Sequence, residues 1–248
     1  MIESLRSVSL DDLTAATTLL TRVDNKYVVP AAALGNLVEA LDLPVLEVAG
    51  RREFRYESVY FDTPDWVAYL AAARGRRRRW KVRTRTYVDS GTCLLEFKAR
   101  GYRGQTVKER IGYDPDDGRL LNAAATEFLA DRVDGLAGSL EAALTTTYRR
   151  STLVDLTNHV RVTIDTGVAC TAGSAYRAVV ADHVIVETKS ATGSGAADRL
   201  LWRSGFRPES ISKYAIGVAA LYPELPRNKW ARTLRRYVTT SQDSGSRP

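Results

Sequence analysis

Cysteine, histidine and methionine are nearly absent from this 248-residue chain, which holds two Cys, two His and one Met. Cys93 and Cys170 show no Cys-x-x-Cys or Cys/His spacing, and His159 and His183 stand alone. A structural zinc site and a disulfide framework are therefore excluded as organising devices, and two small buried thiols are expected. No run of ~20 apolar residues is present to span a bilayer. Met1-Ile2-Glu3 opens into a polar helix rather than a secretory leader, which predicts a cytoplasmic location. Internal repeats and linker-like stretches are also lacking. One domain over residues 1–238 is expected, followed by a Ser/Gly/Pro-rich disordered tail over 239–248.

What the chain has in quantity is positive charge. The formal net charge is +7, which favours an anionic partner: phosphates, nucleic acid or anionic lipid. Hydrophobic residues make up 44%, enough for a real core.

The charge is patterned. Lys81, Arg83 and Arg85 alternate with Trp80, Val82 and Thr84, and Glu96 and Lys98 alternate with Leu95 and Phe97. Lys108 and Arg110 do so against Val107 and Ile111, Arg161 and Asp165 against Val160, Val162 and Ile164, and Glu187 and Lys189 against Val184 and Val186. Tyr148 and Arg150 share a parity, with Arg149 and Leu153 opposite. Strand side chains point alternately to two faces, so these segments build a charged wall.

Around them, Ser9 with Asp11 and Asp12 signals a helix start, and 23–29 reads as a strand. Pro30 opens a second helix that ends before Pro44. Residues 52–61 alternate as a strand, and Asp62-Thr63-Pro64-Asp65 turns into a short helix through Ala73. Strands near 78–88, 92–100 and 105–113 are separated by Asp89-Ser90-Gly91 and by Gly101-Tyr102-Arg103-Gly104. The Ala- and Leu-rich stretch 117–144 is predicted helical; strands follow at 146–156, 159–170 and 183–190, then helices at 195–204 and 212–221.

Roughly eight strands with a charged face admit two arrangements. An antiparallel sheet could pack its apolar face on helices and show its charges to water. Alternatively, the sheet closes into a barrel with the charges inside. The sign imbalance favours the second: Lys26, Lys81, Arg83, Arg85, Lys98, Lys108, Arg110, Arg150, Arg161 and Lys189 face only Glu96, Asp165 and Glu187. Like charges on neighbouring strands destabilise, so such a face makes sense around a polyanion.

Nine motifs then occur in the order seen in VTC domains: Thr21-Arg22-Val23-Asp24-Asn25-Lys26-Tyr27, Val59-Tyr60-Phe61-Asp62-Thr63, Val82-Arg83-Thr84-Arg85-Thr86-Tyr87, Glu96-Phe97-Lys98, Val107-Lys108-Glu109-Arg110, Tyr148-Arg149-Arg150, Arg161-Val162-Thr163-Ile164-Asp165, Glu187-Thr188-Lys189 and Ser212-Lys213-Tyr214. Over roughly residues 20–222 the chain resembles this polyphosphate polymerase family of the triphosphate tunnel metalloenzyme (CYTH-like) superfamily. The resemblance implies an α+β fold: an eight-stranded antiparallel β-barrel tunnel with a polar, basic interior and helices packed outside.

It implies a metal-dependent phosphotransferase that moves the terminal phosphate of ATP or another nucleoside triphosphate onto inorganic polyphosphate, using Mn2+ or Mg2+. Lys26, Arg83, Arg85, Lys98, Lys108, Arg150 and Arg161 match the catalytic phosphate-binding positions. Arg22, Arg110, Tyr148, Lys189, Ser212 and Lys213 are the further substrate-binding candidates, and Glu187 matches the metal carboxylate. Phosphoryl transfer needs positioning and charge neutralisation more than covalent chemistry, which suits such a set. For Glu187 an ion pair with a lining cation competes equally with the metal role.

Departures from the pattern matter. Tunnel hydrolases begin Glu-x-Glu-x-Lys, where this chain has Arg22-Val23-Asp24-Asn25-Lys26, a shift from metal binding towards phosphate binding. Ser210 stands where eukaryotic members carry a lysine. No SPX-type regulatory domain accompanies the chain, so coupling to a membrane is expected to use a separate membrane protein partner. A triphosphate or polyphosphate hydrolase on the same tunnel, a non-catalytic polyphosphate sensor and an RNA-binding module are the alternatives, with nucleic acid the least favoured partner. The run Arg74–Arg79 reads as a solvated helix end or as a collar for an anion. Tyr60, Trp80 and Tyr87 are expected to pack between barrel and helices.

Overall fold

A computed structural model describes residues 2–16, 23–100, 106–173 and 176–242. In chain order the elements are β1 (Ser7–Val8), α1 (Leu10–Ala16), β2 (Val23–Pro30), α2 (Leu34–Leu41), β3 (Val45–Leu46), β4 (Phe54–Asp62) and α3 (Val67–Ala73). Then come β5 (Arg79–Tyr87), β6 (Thr92–Arg100), β7 (Thr106–Tyr113), α4 (Ala123–Leu129), β8 (Glu141–Asp155), β9 (Val160–Ala172), β10 (Tyr176–Val180) and β11 (His183–Ser190). α5 (Ala196–Arg203), α6 (Lys213–Leu221), α7 (Ala231–Tyr237) and β12 (Val238–Gln242) close the chain. Residues 243–248, the rest of the expected tail, lie outside the described residues, as does the Gly101–Gly104 turn.

The fold is α+β with a mostly antiparallel sheet. Its hydrogen-bonded order is β12-β10-β9-β8-β4-β5-β6-β7, with β11 joining β9 to β2. The path has ends, so the expected closed eight-stranded barrel is not formed by these pairings. Closure gives every strand two ladder partners, whereas β7 pairs only with β6 among the described residues. β7 carries Lys108, Glu109 and Arg110 in succession, the charged character that protects a free edge.

The expected helix over 117–144 is also corrected. Only Ala123–Leu129 is α-helical, capped by the Asn122 side chain accepting from the Ala125 N–H at 3.0 Å. Asp134 and Gly135 adopt left-handed backbone (φ 53° and 79°), which ends helical continuation. β8 already begins at Glu141, where Thr145-Thr146-Thr147 favours a strand and ladder pairing overrides the alanine propensity. The Ser9 start is real: Asp12 N–H donates to Ser9 Oγ and Ser9 N–H to the Asp12 carboxylate.

The chain forms two compact units. The first comprises Met1–Phe54, Tyr148–Val168 and Val180–Ile211; the second comprises Arg55–Thr147, Ala169–Val179 and Ser212–Pro248. In the first, α2 and α5 bury Leu34, Leu37, Val38, Ala197 and Leu201 against Tyr27, Val29, Val162, Ile164, Val184 and Val186, the apolar faces of β2, β9 and β11. Asp198 pins α5 to that sheet, accepting from Tyr27 Oη at 2.7 Å and Thr188 Oγ1 at 2.6 Å.

In the second unit, α4 places Ala125 and Leu129 on Val59, Phe61, Val82, Leu95 and Phe97. α6 buries Tyr214, Ala215, Val218 and Ala219 with Tyr60, Tyr69 and Leu144. Fully buried Asp62 ties α3 to α6. It accepts from the Thr63, Ala68 and Tyr69 N–H groups at 2.8–2.9 Å and from the Tyr214 hydroxyl. The buried aliphatic residues of these strands face α2, α5 and α4, and the cations alternate with them onto the opposite face.

α6 packs without slack. A Cβ at Gly217 would meet Leu144 Cδ2 at 2.5 Å and Cys170 Sγ at 2.9 Å. Gly217→Ala is therefore expected to destabilise the protein by roughly 1–3 kcal/mol, read as a lower denaturation midpoint. An unchanged midpoint would show that the α6–β8–β9 contact yields easily.

Candidate functional site

In the second unit the register of β5, β6 and β7 aligns the charged positions. Arg83 lies opposite Glu96 and Glu96 opposite Arg110, while Lys81, Lys98 and Lys108 line up one step along. Glu96, 2% exposed, is the hub: Arg83 Nε donates to it at 2.7 Å, Lys108 Nζ at 2.6 Å, and Arg85 Nη2 lies 3.3 Å away. Burial alone would raise the Glu96 carboxyl, but Arg83 and Lys108 outweigh it and hold the group below its ordinary range. Burial lowers Lys108, with Glu96 opposing. Three cations sharing one carboxylate leave a positive surplus, and Lys98 and Arg110 extend it from exposed positions.

Tyr60 packs as expected and also holds a cation here. Its hydroxyl accepts from Arg83 Nη1 at 2.8 Å, and its ring stacks on Tyr214 at 5.1 Å between centroids. The signal was parity: Tyr60 lies opposite Arg83 in the β4–β5 register, so it shares the charged face. Ser212 caps α6, its Oγ accepting from Ala215 N–H at 3.1 Å, and Lys213 is the first helical residue. The Ser212 hydroxyl thus has a structural duty at the position assigned to substrate.

The first unit builds its own cluster. β11 runs between β2 and β9, with Glu187 opposite Lys26 and Thr163, and Lys189 opposite Asp24 and Arg161. Lys189 bonds both the Glu187 carboxylate and Asp24, the latter at 3.1 Å; Lys26 Nζ lies 3.5 Å from Glu187. Burial acts to raise Glu187, yet Lys26, Lys189 and Arg150 together hold it well below the ordinary carboxylate range. Arg150 grips Asp165 with two bonds of 2.6 and 2.8 Å and lies 5.3 Å from the Tyr148 ring centre. Burial disfavours the charged Arg150, but Asp165 reverses that and raises its affinity for the proton. Asp165 is therefore a partner of Arg150. Arg161 stands half-buried on the same face. Arg22 lies outside the described residues.

The resemblance implies a divalent metal, and the donors can be tested against one. No group of three or more His, Cys, Asp or Glu side chains that could hold a metal is found among the described residues. Glu187 is ionised and retains some solvent access, at 12% side-chain exposure, so it fits as a single hard oxygen ligand. Mg2+ and Mn2+ accept such a site when waters and substrate oxygens complete the shell.

An α+β protein that packs helices on the apolar side of its antiparallel strands and arrays arginines and lysines around a few shared carboxylates has the charge distribution of an anion binder. Residues 21–222 match the VTC domain, and the chain belongs to that family. Its fold is similar to that of a candidate adenylyl cyclase from Hippeastrum described as having a dominant triphosphatase activity. The two share 16% identity over 84% of this chain and 99% of that one, with a TM-score of 0.56. A candidate adenylate cyclase from Bacillus halodurans is similar at 11% identity over 77% and 94% of the two chains, with a TM-score of 0.53. No curated protein matches the sequence. At these identities the likeness is one of fold.

Glu96→Gln would leave Arg83, Arg85 and Lys108 without their shared anion, an expected loss of about 3 kcal/mol. Because the folded carboxyl titrates below its unfolded value of ~4.5, its contribution is full above that pH and disappears as pH falls through the folded value. Denaturant titrations between neutral pH and acid should show wild-type stability falling in that window. The variant, already weaker at neutral pH, should fall less steeply. Parallel curves would remove Glu96 from its role as hub.

Proposed function

We propose that the chain is a metal-dependent phosphotransferase of the polyphosphate polymerase type, acting on a nucleoside triphosphate and inorganic polyphosphate. The observation that carries this is the surplus of cations on Glu96: Arg83, Arg85 and Lys108 converge on one carboxylate, leaving charge for phosphate oxygens. Membership of the VTC family supports the substrate class. Arg22-Val23-Asp24-Asn25-Lys26 in place of an acidic opening favours phosphate binding over hydrolysis. In this reading residues 1–238 act as one functional domain.

In the reaction, a terminal oxygen of the polyphosphate chain attacks the γ-phosphorus of the nucleotide. A P–O bond forms to the chain as the bond to the β-phosphate oxygen breaks, and the nucleoside diphosphate leaves with that electron pair. Arg83, Arg85, Lys98 and Lys108 neutralise and orient phosphoryl oxygens, with Lys26, Arg150 and Arg161 as the matching cations of the first unit and Arg22, Arg110, Tyr148, Lys189, Ser212 and Lys213 as further contacts. Tyr60 holds the Arg83 fork in place through its hydroxyl. Glu187 is the residue for a divalent ion, which supplies Lewis-acid neutralisation of neighbouring phosphates when bound. Lys26, Lys189 and Arg150 oppose a dication at Glu187, and bound phosphate would offset them.

Triphosphate or polyphosphate hydrolysis at the same residues is the second reading, favoured by the triphosphatase activity described for the Hippeastrum protein. Incubation with ATP and Mn2+, and separately with long-chain polyphosphate, distinguishes the two: polyphosphate accumulates for the polymerase, orthophosphate for the hydrolase. Arg83→Ala, Arg85→Ala and Lys98→Ala should each abolish turnover in a folded protein; wild-type rates in all three would sink the assignment.

Mn2+ titrations followed by electron paramagnetic resonance should show weak binding to the protein alone and strong binding once tripolyphosphate is added. Glu187→Gln should lose that gain while still binding tripolyphosphate. Equal Mn2+ affinity in wild type and variant would return Glu187 to a purely structural ion pair.

A further inference from the structure

The ladder between β5 and β6 does not end where Glu96 stops neutralising it. Beyond the Arg83/Glu96 step, the opposed pairs are Lys81 with Lys98 and then Arg79 with Arg100. Like charges directly opposite on neighbouring strands destabilise a sheet. The Arg79/Arg100 step has no carboxylate partner among the described residues. Arg79 Nη1 donates instead to the Arg76 carbonyl at 2.8 Å. A third cation joins from the turn at Asn228–Trp230: Lys229 Nζ donates to the Ala72 carbonyl at the end of α3, at 2.7 Å. Burial and the charge of Arg100 lower Arg79, and burial with Arg79 and Arg100 lowers Lys229, so the three cations feel one another. In the arginine run, Arg78 lies 3.8 Å from Asp134 with both side chains 73% exposed, a pair of little strength.

We propose that Arg79, Arg100 and Lys229 form a second phosphate-binding site, which holds a distal phosphate group of a linear phosphate chain whose reacting end lies at Arg83 and Arg85. Arg79 stands four residues from Arg83 on the same strand face, ~13 Å along the ladder at ~3.3 Å per residue. A triphosphate at Arg83 and Arg85 does not reach that far, whereas a longer chain does. Guanidinium forks suit this ligand because they bind phosphate oxygens in pairs. The site rests on the proposed function for its ligand and adds to it a preference for chain length. Repulsion that the free protein must bear becomes attraction once phosphate sits among the three groups.

The test is the double variant R79Q/R100Q, which leaves the Lys229 bond to the Ala72 carbonyl in place. Binding of tripolyphosphate and of long-chain polyphosphate is measured by calorimetry, with melting temperature alongside. Affinity for the long chain is expected to fall about tenfold, while that for tripolyphosphate changes less than about twofold. The melting temperature should hold or rise, since a like-charge pair is removed. Equal losses for both ligands, or none for the long chain, overturn the second site while leaving the first intact. Wild-type protein that binds neither ligand refutes both the site and the proposed function. Chain-length-dependent binding without turnover of ATP would refute only the activity.

Discussion

Cations can stand on a partly buried sheet face only if carboxylates share their charge, and here Glu96, Glu187 and Asp165 carry most of that duty, with Asp24 beside Lys189. Glu96 serves Arg83, Arg85 and Lys108, Glu187 serves Lys26 and Lys189, and Asp165 serves Arg150. Taking a guanidinium or ammonium out of water costs several kcal/mol in practice, so each acid is as necessary to the fold as to the site. Cations outnumber the acids, and the face that results is stable while still short of negative charge.

The helices make this face available. α2 and α5 in one unit, and α4 in the other, take the apolar sides of the strands. Asp198 and Asp62 lock these contacts with buried hydrogen bonds. Asp62 reaches the site as well: it accepts from Tyr214, on which Tyr60 stacks, and Tyr60 accepts from Arg83. The position of one phosphate-facing arginine thus depends on a carboxylate buried at the start of α3.

Much of this was legible in the sequence because alternation is a local property. Lys81, Arg83 and Arg85 fall on one face and Trp80 and Val82 on the other, as period-two spacing requires. The hairpin at Asp89-Ser90-Gly91 and the helix start at Ser9 were likewise readable from a few residues. The stretch 117–144 was not, because its alanines favour helix locally while the pairing that makes Glu141–Asp155 a strand comes from distant residues. Barrel closure was equally beyond reach, since it depends on what the edge of β7 meets.

The sequence by itself determined which residues share a face and that positive charge outnumbers negative on it, because both follow from backbone periodicity and composition. Only the tertiary structure decided how that charge is distributed. Register placed Glu96 opposite Arg83 but Arg100 opposite Arg79, so one step of the same ladder is neutralised and another is left cationic. It also decided that Glu187 sits between two lysines, where its charge is already in use before any metal arrives. The pairing of Glu187 with Lys26 joins residues far apart in the chain, and no local pattern carries that information.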